Sequence, residues 1–248
     1  MKKNLNIKIS EITRVEGHGN IVIDVRGGVI KELKLEIIES PRFFEMMLRG
    51  RRFDEAQHIM ARICGICAVS HTSASLKAIE DAMRIKISRQ SRLLRKLAFA
   101  GEMLQSHILH IFFLVVPDLV GAGSIVPLLS SHPVLAKTGL DLKRLANEIC
   151  ETIGGRHIHP ISRFPGGVVF TPKPQDLKKL KKDLESTFAG LEETLRFLAG
   201  IKLPDFELER EFISLKARGE YAFYSGEPVS SVGKEIDAKD FTDEVKEY

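Results

Sequence analysis

The stretch Arg62-Ile63-Cys64-Gly65-Ile66-Cys67 contains two of the three cysteines in this chain of 248 residues. Two thiols this close together, in a chain whose other cysteine is Cys150, indicate chemistry rather than a disulfide framework. The CxxC pattern alone fits three kinds of site: a dithiol redox couple, half of a zinc or iron–sulfur site, and a pair of thiolates on another soft metal. The flanking sequence is needed to choose between them.

Three further features accompany the pair. The chain has Arg14-Val15-Glu16-Gly17-His18 upstream, His71 at the fourth position after Cys67, and Gly155-Arg156-His157-Ile158-His159-Pro160 downstream. In this order and at these separations, the boxes RxEGH, RxCGxC with its following histidine, and GRxxHP resemble the N-terminal half of nickel–iron hydrogenase large subunits. The resemblance covers roughly residues 5 to 200, and linked motifs are far more specific than a single one.

The resemblance implies a nickel–iron centre in which Cys64 is a terminal nickel ligand and Cys67 bridges the two metals. The iron in such a centre also carries cyanide and carbon monoxide. The family draws two more cysteines from a C-terminal DPCxxCxxH motif, whereas no cysteine follows Cys150 before the last residue, Tyr248. We therefore expect only half of the ligand set here, and no hydrogen-dependent viologen reduction by residues 1–248 alone unless a second polypeptide brings the missing pair.

The local sequence supports a paired site. Cys64 and Cys67 lie where a loop is predicted to enter a helix, so both thiols can face one centre. The helix N-terminus and Arg62 are expected to favour the thiolate forms. A buried or redox-active CxxC is the plain alternative, and a zinc site would lack a second CxxC or an HxxxH at finger-like spacing.

Glu16 lies between two predicted strands, where an exposed loop carboxylate is the ordinary interpretation. The resemblance implies instead that Glu16 carries protons to and from the terminal cysteine thiolate. Such work suits a carboxyl group that is withdrawn from water. Arg14 and His18 are expected to hold this loop by hydrogen bonds.

Two other positions are candidates near the metals. His71 follows Cys67 by one helical turn on the same face, so its ring N–H is placed to donate to the bridging thiolate. The alternative for His71 is a hydrogen bond to a nearby carbonyl. The resemblance implies that Glu45, which starts the box EMMLRGR, binds a structural magnesium, whereas from the residues alone it pairs with Arg49 at i+4. The histidines of the GRHIHP box are expected to be scaffolding beside the active-site cavity.

Composition limits the other possibilities. Hydrophobic residues make up 44% of the chain, which is ample for a buried core. The chain has 37 Lys and Arg and 33 Asp and Glu, so its net charge is +4. Spread over this length, so small a positive charge does not indicate nucleic-acid binding. We expect no signal peptide and no transmembrane helix, since the most apolar stretch, residues 108–116, is far shorter than the roughly 20 apolar residues of a membrane span. The scarce cysteines indicate a reducing compartment or a metal site. The lack of an export signal and the stretch PRFFEMMLRGR resemble the cytoplasmic, cofactor-coupled hydrogenases, so a cytoplasmic location is expected.

The hydrophobic periodicity predicts an α+β fold: an N-terminal antiparallel β-meander followed by a mainly α-helical bundle with long central helices. The predicted domains are residues 1–40, the meander; 41–202, the bundle with the RxCGxC loop; and 203–248, a mixed segment with short strands at 212–215 and 221–224. Strands are predicted at 5–12, 20–25 and 29–38, and helices at 43–48, 53–61, 69–83, 88–116 (ending at Pro117), 141–153 and 177–198. The longest helix is predicted to bury Leu93, Leu97, Met103, Leu104, His107, Ile108, Ile111 and Val115.

These features favour a component of a hydrogenase that reversibly oxidises dihydrogen, passing electrons to an iron–sulfur small subunit, with flavin or diaphorase subunits as further partners. A non-catalytic scaffold, similar to the hydrogenase-derived subunit of respiratory complex I, is the alternative from another class, but that relative lacks the cysteines. An inactive truncated gene product is a third hypothesis. The metal content of the purified complex discriminates between them.

Overall fold

The computed structural model describes residues 4–203 and 205–246. Its N-terminal part is a three-stranded antiparallel sheet, and helices follow, which confirms the predicted α+β class. The tight turn at Gly27 and Gly28 has φ of +60° and +77°, a conformation that glycine adopts at no steric cost. The strands are β1 (Leu5–Ile9), β2 (Gly19–Arg26) and β3 (Val29–Ile37), in the order β1-β2-β3.

An apolar core lies between helices of residues 68–185. Val69, Ala98, Leu145 and Ile149 are all buried there, so the helix that carries the CxxC loop packs against the two longest helices. The helices are α1 (Pro41–Leu48), α2 (Ala56–Met60), α3 (Ala68–Ala82), α4 (Arg89–Ile108), α5 (Val116–Leu119), α6 (Ile125–Ser131), α7 (Pro133–Gly154), α8 (Pro174–Glu185), α9 (Phe188–Ala199) and α10 (Phe241–Glu244).

The long central helix does not end at Pro117 as predicted. A π-helical turn, Leu109–Val115, joins α4 to α5, and the helical path is continuous to Leu119. The π turn widens the backbone before Pro117, so the proline lies in the first turn of α5, where its missing N–H leaves no α-helical hydrogen bond unmade. By length and composition alone, Arg89–Leu119 is sufficient to cross a membrane. Core helices of globular domains meet the same criteria, so the absence of a membrane span stays a prediction.

Two other helix boundaries differ from the sequence prediction. Helix α7 begins at Pro133 rather than at residue 141, because proline is well suited to the first helical position. The helix predicted over 177–198 is two helices, and Ser186 and Thr187 separate them. Their hydroxyl groups donate to the carbonyl oxygens of Asp183 and Leu184 at 2.6 and 2.7 Å and so compete with the helical pattern.

Close helix packing rests on two glycines of the bundle. A Cβ atom at Gly101 in α4 would lie 2.8 Å from Ile149 in α7. A Cβ atom at Gly139 in α7 would lie 2.6 Å from the Phe112 ring of the π turn. Any larger residue at either position would push the two longest helices apart.

The chain forms two compact units, one ending at Leu191 and one beginning at Glu192. The first contains the sheet, the bundle and an unpredicted short hairpin of β4 (Arg163–Phe164) and β5 (Gly167–Val168). The second contains β6 (Ile213–Lys216), which was predicted, paired with β7 (Glu227–Ser230). The predicted strand at 221–224 is wrong, because β7 lies further along the chain. The predicted three-domain boundaries stay predictions.

Candidate metal and proton-transfer site

The backbone of the CxxC loop folds around the sulfur of Cys64. This side chain is only 9% exposed, and the backbone N–H groups of Ile66 and Cys67 donate to its Sγ at 3.3 and 3.2 Å. Cys67 then occupies the position just before α3. The prediction that the pair lies where a loop enters a helix is therefore confirmed.

Glu16 reaches this sulfur from 48 residues away in sequence. The Cys64 thiol donates a hydrogen bond to Glu16 Oε1 at 3.1 Å, which joins the RxEGH box to the CxxC loop. Glu16 is exposed, so the expectation that its carboxyl is withdrawn from water is not met by the described residues. Its loop contains three residues with positive φ, Glu11 at +57°, Arg14 at +68° and Gly17 at +85°, and in this tightly turned loop Glu16 faces Cys64.

Hydrogen bonds hold this loop at both ends, as predicted for Arg14 and His18. The Arg14 guanidinium makes two hydrogen bonds of 2.8 Å to Asp118 at the end of the long central helix. The His18 backbone N–H and its ring Nδ1 contact Glu39 Oε1 at 2.8 and 3.0 Å. These partners hold the pKa of Asp118 and of Glu39 below their ordinary values, so both carboxylates remain charged at neutral pH.

Cys67 differs from the prediction. Burial, together with its hydrogen bond to Cys64, raises the pKa of the Cys67 thiol to about 12. The negative charge of Glu102 and Glu16 adds to this effect. The expectation that the helix N-terminus and Arg62 favour the Cys67 thiolate is therefore wrong for the chain by itself, because desolvation and acidic neighbours outweigh them.

Glu102 is a site neighbour that sequence reasoning missed. It is 3% exposed, and its carboxylate accepts hydrogen bonds from the Val69 N–H, the Ser70 N–H at 2.9 Å and the Ser70 hydroxyl. Burial raises the pKa of this carboxyl. On a helical wheel Glu102 lies opposite the predicted apolar stripe of α4, so the sequence pattern placed it on the polar side and gave no signal of its burial.

The GRHIHP box supports the loop from behind, in agreement with its predicted scaffolding role. The His159 ring contacts the Ala61 carbonyl oxygen through Nδ1 at 2.7 Å, just before the RICGIC stretch. A little further along, the buried Arg163 donates to the Ser73 hydroxyl at 3.1 Å and to the Val69 carbonyl oxygen at 3.4 Å. The segment after α7 therefore fixes both the approach to the loop and the first turns of α3.

Within the described residues, no side-chain hydrogen bond joins His71 or Glu45 to either cysteine of the CxxC loop. His71 is half-buried, which lowers the pKa of its ring, and within residues 4–203 and 205–246 it makes no hydrogen bond to either thiol. Glu45 is exposed on α1, and the alternative ion pair with Arg49 does not form in the described part of the chain. The predicted roles of both residues stay predictions.

The donor set suits part of a soft-metal centre. Cys64 and Cys67 are free thiols on one turn, and thiolates select soft metals. In the part of the chain that the structure describes, no three His, Cys, Asp or Glu side chains cluster as a complete metal site. The residues present therefore fit a centre to which other ligands come from elsewhere, and they do not fit a closed zinc site.

This chain is similar in sequence and fold to known proteins. A family profile described as nickel-dependent hydrogenase matches residues 42–138. Sulfhydrogenase 2 subunit alpha of Pyrococcus furiosus is 39% identical over 73% of this chain and 44% of the relative. Sulfhydrogenase 1 subunit alpha of the same organism is 32% identical over 98% of this chain and 58% of the relative. A solved NAD⁺-reducing NiFe hydrogenase in the H₂-reduced state is 26% identical, with a TM-score of 0.83 over 94% of this chain and 56% of that chain.

The sheet, the helical bundle and the thiol loop are those of a hydrogenase large subunit. The chain belongs to the nickel-dependent hydrogenase family and corresponds to the N-terminal portion of its alpha subunits. It spans about half the length of the curated relatives that it matches.

Proposed function

We propose that this chain is the part of a hydrogen-oxidising hydrogenase that supplies two thiolate ligands and the first proton carrier. The observation that carries this proposal is the 3.1 Å hydrogen bond between Cys64 and Glu16. A carboxylate in contact with a metal-ligating sulfur can take up a proton there and release it again. Because Glu16 is also exposed, the same carboxylate can exchange that proton with water.

Each residue has a definite part in the proposed reaction. Cys64 and Cys67 would hold a nickel–iron centre by their thiolates, together with ligands from outside the described residues. When bound, this centre supplies the heterolytic cleavage of dihydrogen. Glu16 holds and moves the proton at the Cys64 sulfur, while Arg14 and its partner Asp118 keep the Glu16 loop in place.

Further elements of the proposal concern the surroundings. His71 would donate to the Cys67 sulfur when that sulfur is a metal ligand, and Glu45 would bind magnesium together with a ligand from outside the described residues. Electrons would leave through an iron–sulfur small subunit, with flavin or diaphorase subunits beyond it. The NAD⁺-reducing hydrogenase among the similar structures supports this type of partner. We place the complex in the cytoplasm.

Metal content tests the ligand assignment. In a complex purified with its partner subunits, Cys64→Ser and Cys67→Ser are each expected to remove most of the nickel, because each removes a thiolate that soft metals require. Cys150→Ala is the matched control, since Cys150 is buried between helices and lies outside the CxxC loop. Elemental analysis of nickel and iron per complex is the measurement. Equal nickel in all three variants would refute the assignment.

The isolated chain provides a second test. Residues 1–248 without partners are expected to show no hydrogen-dependent reduction of viologen, because the described residues offer only two thiolates. The assembled complex, measured at the same concentration, is the positive control. Viologen reduction by the isolated chain would show that the site is complete within it and would contradict the division of ligands proposed here.

A further inference from the structure

We propose that Glu102 is a positioning residue for Cys67: its carboxylate caps the helix that follows the CxxC loop and thereby leaves the Cys67 thiol available to a metal. The identity of that metal rests on the function proposed above, but the capping role does not. Glu102 lies outside the RxCGxC box, and from α4 it contacts the first turn of α3, which follows the CxxC loop.

The first observation is the unusual start of α3. Cys67 occupies the N-cap position, and its side chain makes no capping hydrogen bond. Most helices use a Ser, Thr, Asp or Asn side chain here to accept from the second or third backbone N–H, and loss of such a cap costs about 1 kcal/mol. A thiol is a weak acceptor, so Cys67 is a poor cap even when no metal is bound.

The second observation is that another helix supplies the missing acceptor. The N–H groups of Val69 and Ser70, which lie in the first turn of α3, donate to the two carboxylate oxygens of Glu102. The Ser70 hydroxyl donates to Glu102 as well. A buried carboxylate at a helix N-terminus also interacts favourably with the helix dipole. The N–H groups of Val69 and Ser70 are therefore capped without any contribution from the Cys67 side chain.

The third observation is that the same turn is held from its other side. Arg163 donates to the carbonyl oxygen of Val69, whose N–H is bound by Glu102. The Ser73 hydroxyl donates to the same carbonyl oxygen at 2.7 Å and accepts from Arg163. The peptide groups on both sides of Val69 are thus fixed by buried partners. Because Cys67 is two residues away, this fixed turn sets where its sulfur lies relative to Cys64.

Binding of cadmium by the isolated chain tests this role without the hydrogenase cofactor. Cadmium is a soft ion that reports thiolate ligation by ultraviolet absorption, and Cys67→Ser establishes which part of the signal comes from the pair. We expect Glu102→Ala to weaken cadmium binding about 10- to 100-fold, as loss of a residue that orients a ligand does elsewhere. Glu102→Gln keeps the size and one acceptor oxygen, so its affinity is expected to lie between those of the native chain and the alanine variant.

Glu80→Gln is the matched control. Glu80 is also a buried carboxylate between α3 and α4, but it lies at the other end of α3, where it pairs with Arg95. It is expected to lower overall stability without weakening cadmium binding under conditions in which circular dichroism shows the variant to be folded. Amide hydrogen exchange at Val69 and Ser70 should accelerate in Glu102→Gln more than exchange elsewhere in the bundle, whereas Glu80→Gln should not single out these two amides.

Several results would overturn the inference. They are native cadmium affinity in folded Glu102→Gln, unchanged exchange at Val69 and Ser70 in that variant, or an equal loss of affinity in Glu80→Gln. If Glu102→Ala does not fold, the comparison of the two glutamine variants decides. A complex that contains no nickel or iron, together with the expected cadmium result, would refute the proposed function while leaving the capping role intact.

Discussion

Replacing Glu16 by Gln in the assembled complex is expected to lower hydrogen oxidation by about 10²- to 10⁴-fold, the usual contribution of a positioned proton carrier. Glutamine has nearly the shape of glutamate and its carbonyl oxygen can still accept from the Cys64 thiol. It cannot take up the proton. The effect should therefore appear in hydrogen-dependent dye reduction, while nickel content and the amount of assembled complex stay at native levels.

The control for this substitution lies in the same loop. Glu11 is exposed, and its side chain makes no hydrogen bond within the described residues. Glu11→Gln removes the same charge at a similar place in the sequence and is expected to retain native activity. Native activity in Glu16→Gln would exclude Glu16 as the proton carrier. A loss of nickel in that variant would assign Glu16 to the stability of the centre instead.

The site could be located from sequence because its key residues belong to linked motifs. The boxes around Glu16, Cys64 and His159 indicated one site, and the structure brings Glu16 and Cys64 into hydrogen-bonding contact. The distant partners of these boxes, Asp118 and Glu102, were not found. Arg14 and Asp118 are 104 residues apart, and Val69 and Glu102 are 33 apart. No local pattern marks a partner at such a distance. A charged residue that is exposed and one that is buried in a hydrogen-bonded pair cannot be told apart from the sequence alone.

Periodicity predicted the positions of the strands and helices better than it predicted which of their faces are buried. The alternation of apolar residues predicted the three N-terminal strands, because side chains alternate between the two faces of a strand, and the pairing of β2 with β3 shifts its register between Asp24 and Val25. For the long helix, Leu93 and Leu97 were expected to be buried but are 55% and 39% exposed. The buried side of α4 instead carries Arg95, Glu102 and Gln105, together with smaller apolar residues. Because polar side chains with buried partners occupy the inner face of α4, the apolar residues of the sequence did not mark the face that is buried.

Arg95 offers the largest expected effect on stability. It is 1% exposed and makes two hydrogen bonds with the Glu80 carboxylate, at 2.9 and 2.7 Å. It also donates to the carbonyl oxygens of Phe164 and Gly167 at 2.8 and 3.1 Å. One guanidinium thus joins α3, α4 and the hairpin of β4 and β5. Removing it leaves the Glu80 carboxylate buried without its guanidinium partner, while the Gly166 N–H still donates to Glu80 at 2.8 Å.

Arg95→Ala is therefore expected to lower the free energy of unfolding by about 3–5 kcal/mol, the cost of breaking a buried ion pair from one side. Urea denaturation followed by circular dichroism is the measurement. Arg92→Ala, which removes an exposed arginine from the same helix, should change the free energy of unfolding by no more than about 0.5 kcal/mol. The double variant Glu80→Leu with Arg95→Met should regain much of the loss, because it leaves no unpaired charge in the core. Equal stability of Arg95→Ala and Arg92→Ala would show that the pair is not what holds α3, α4 and the hairpin together.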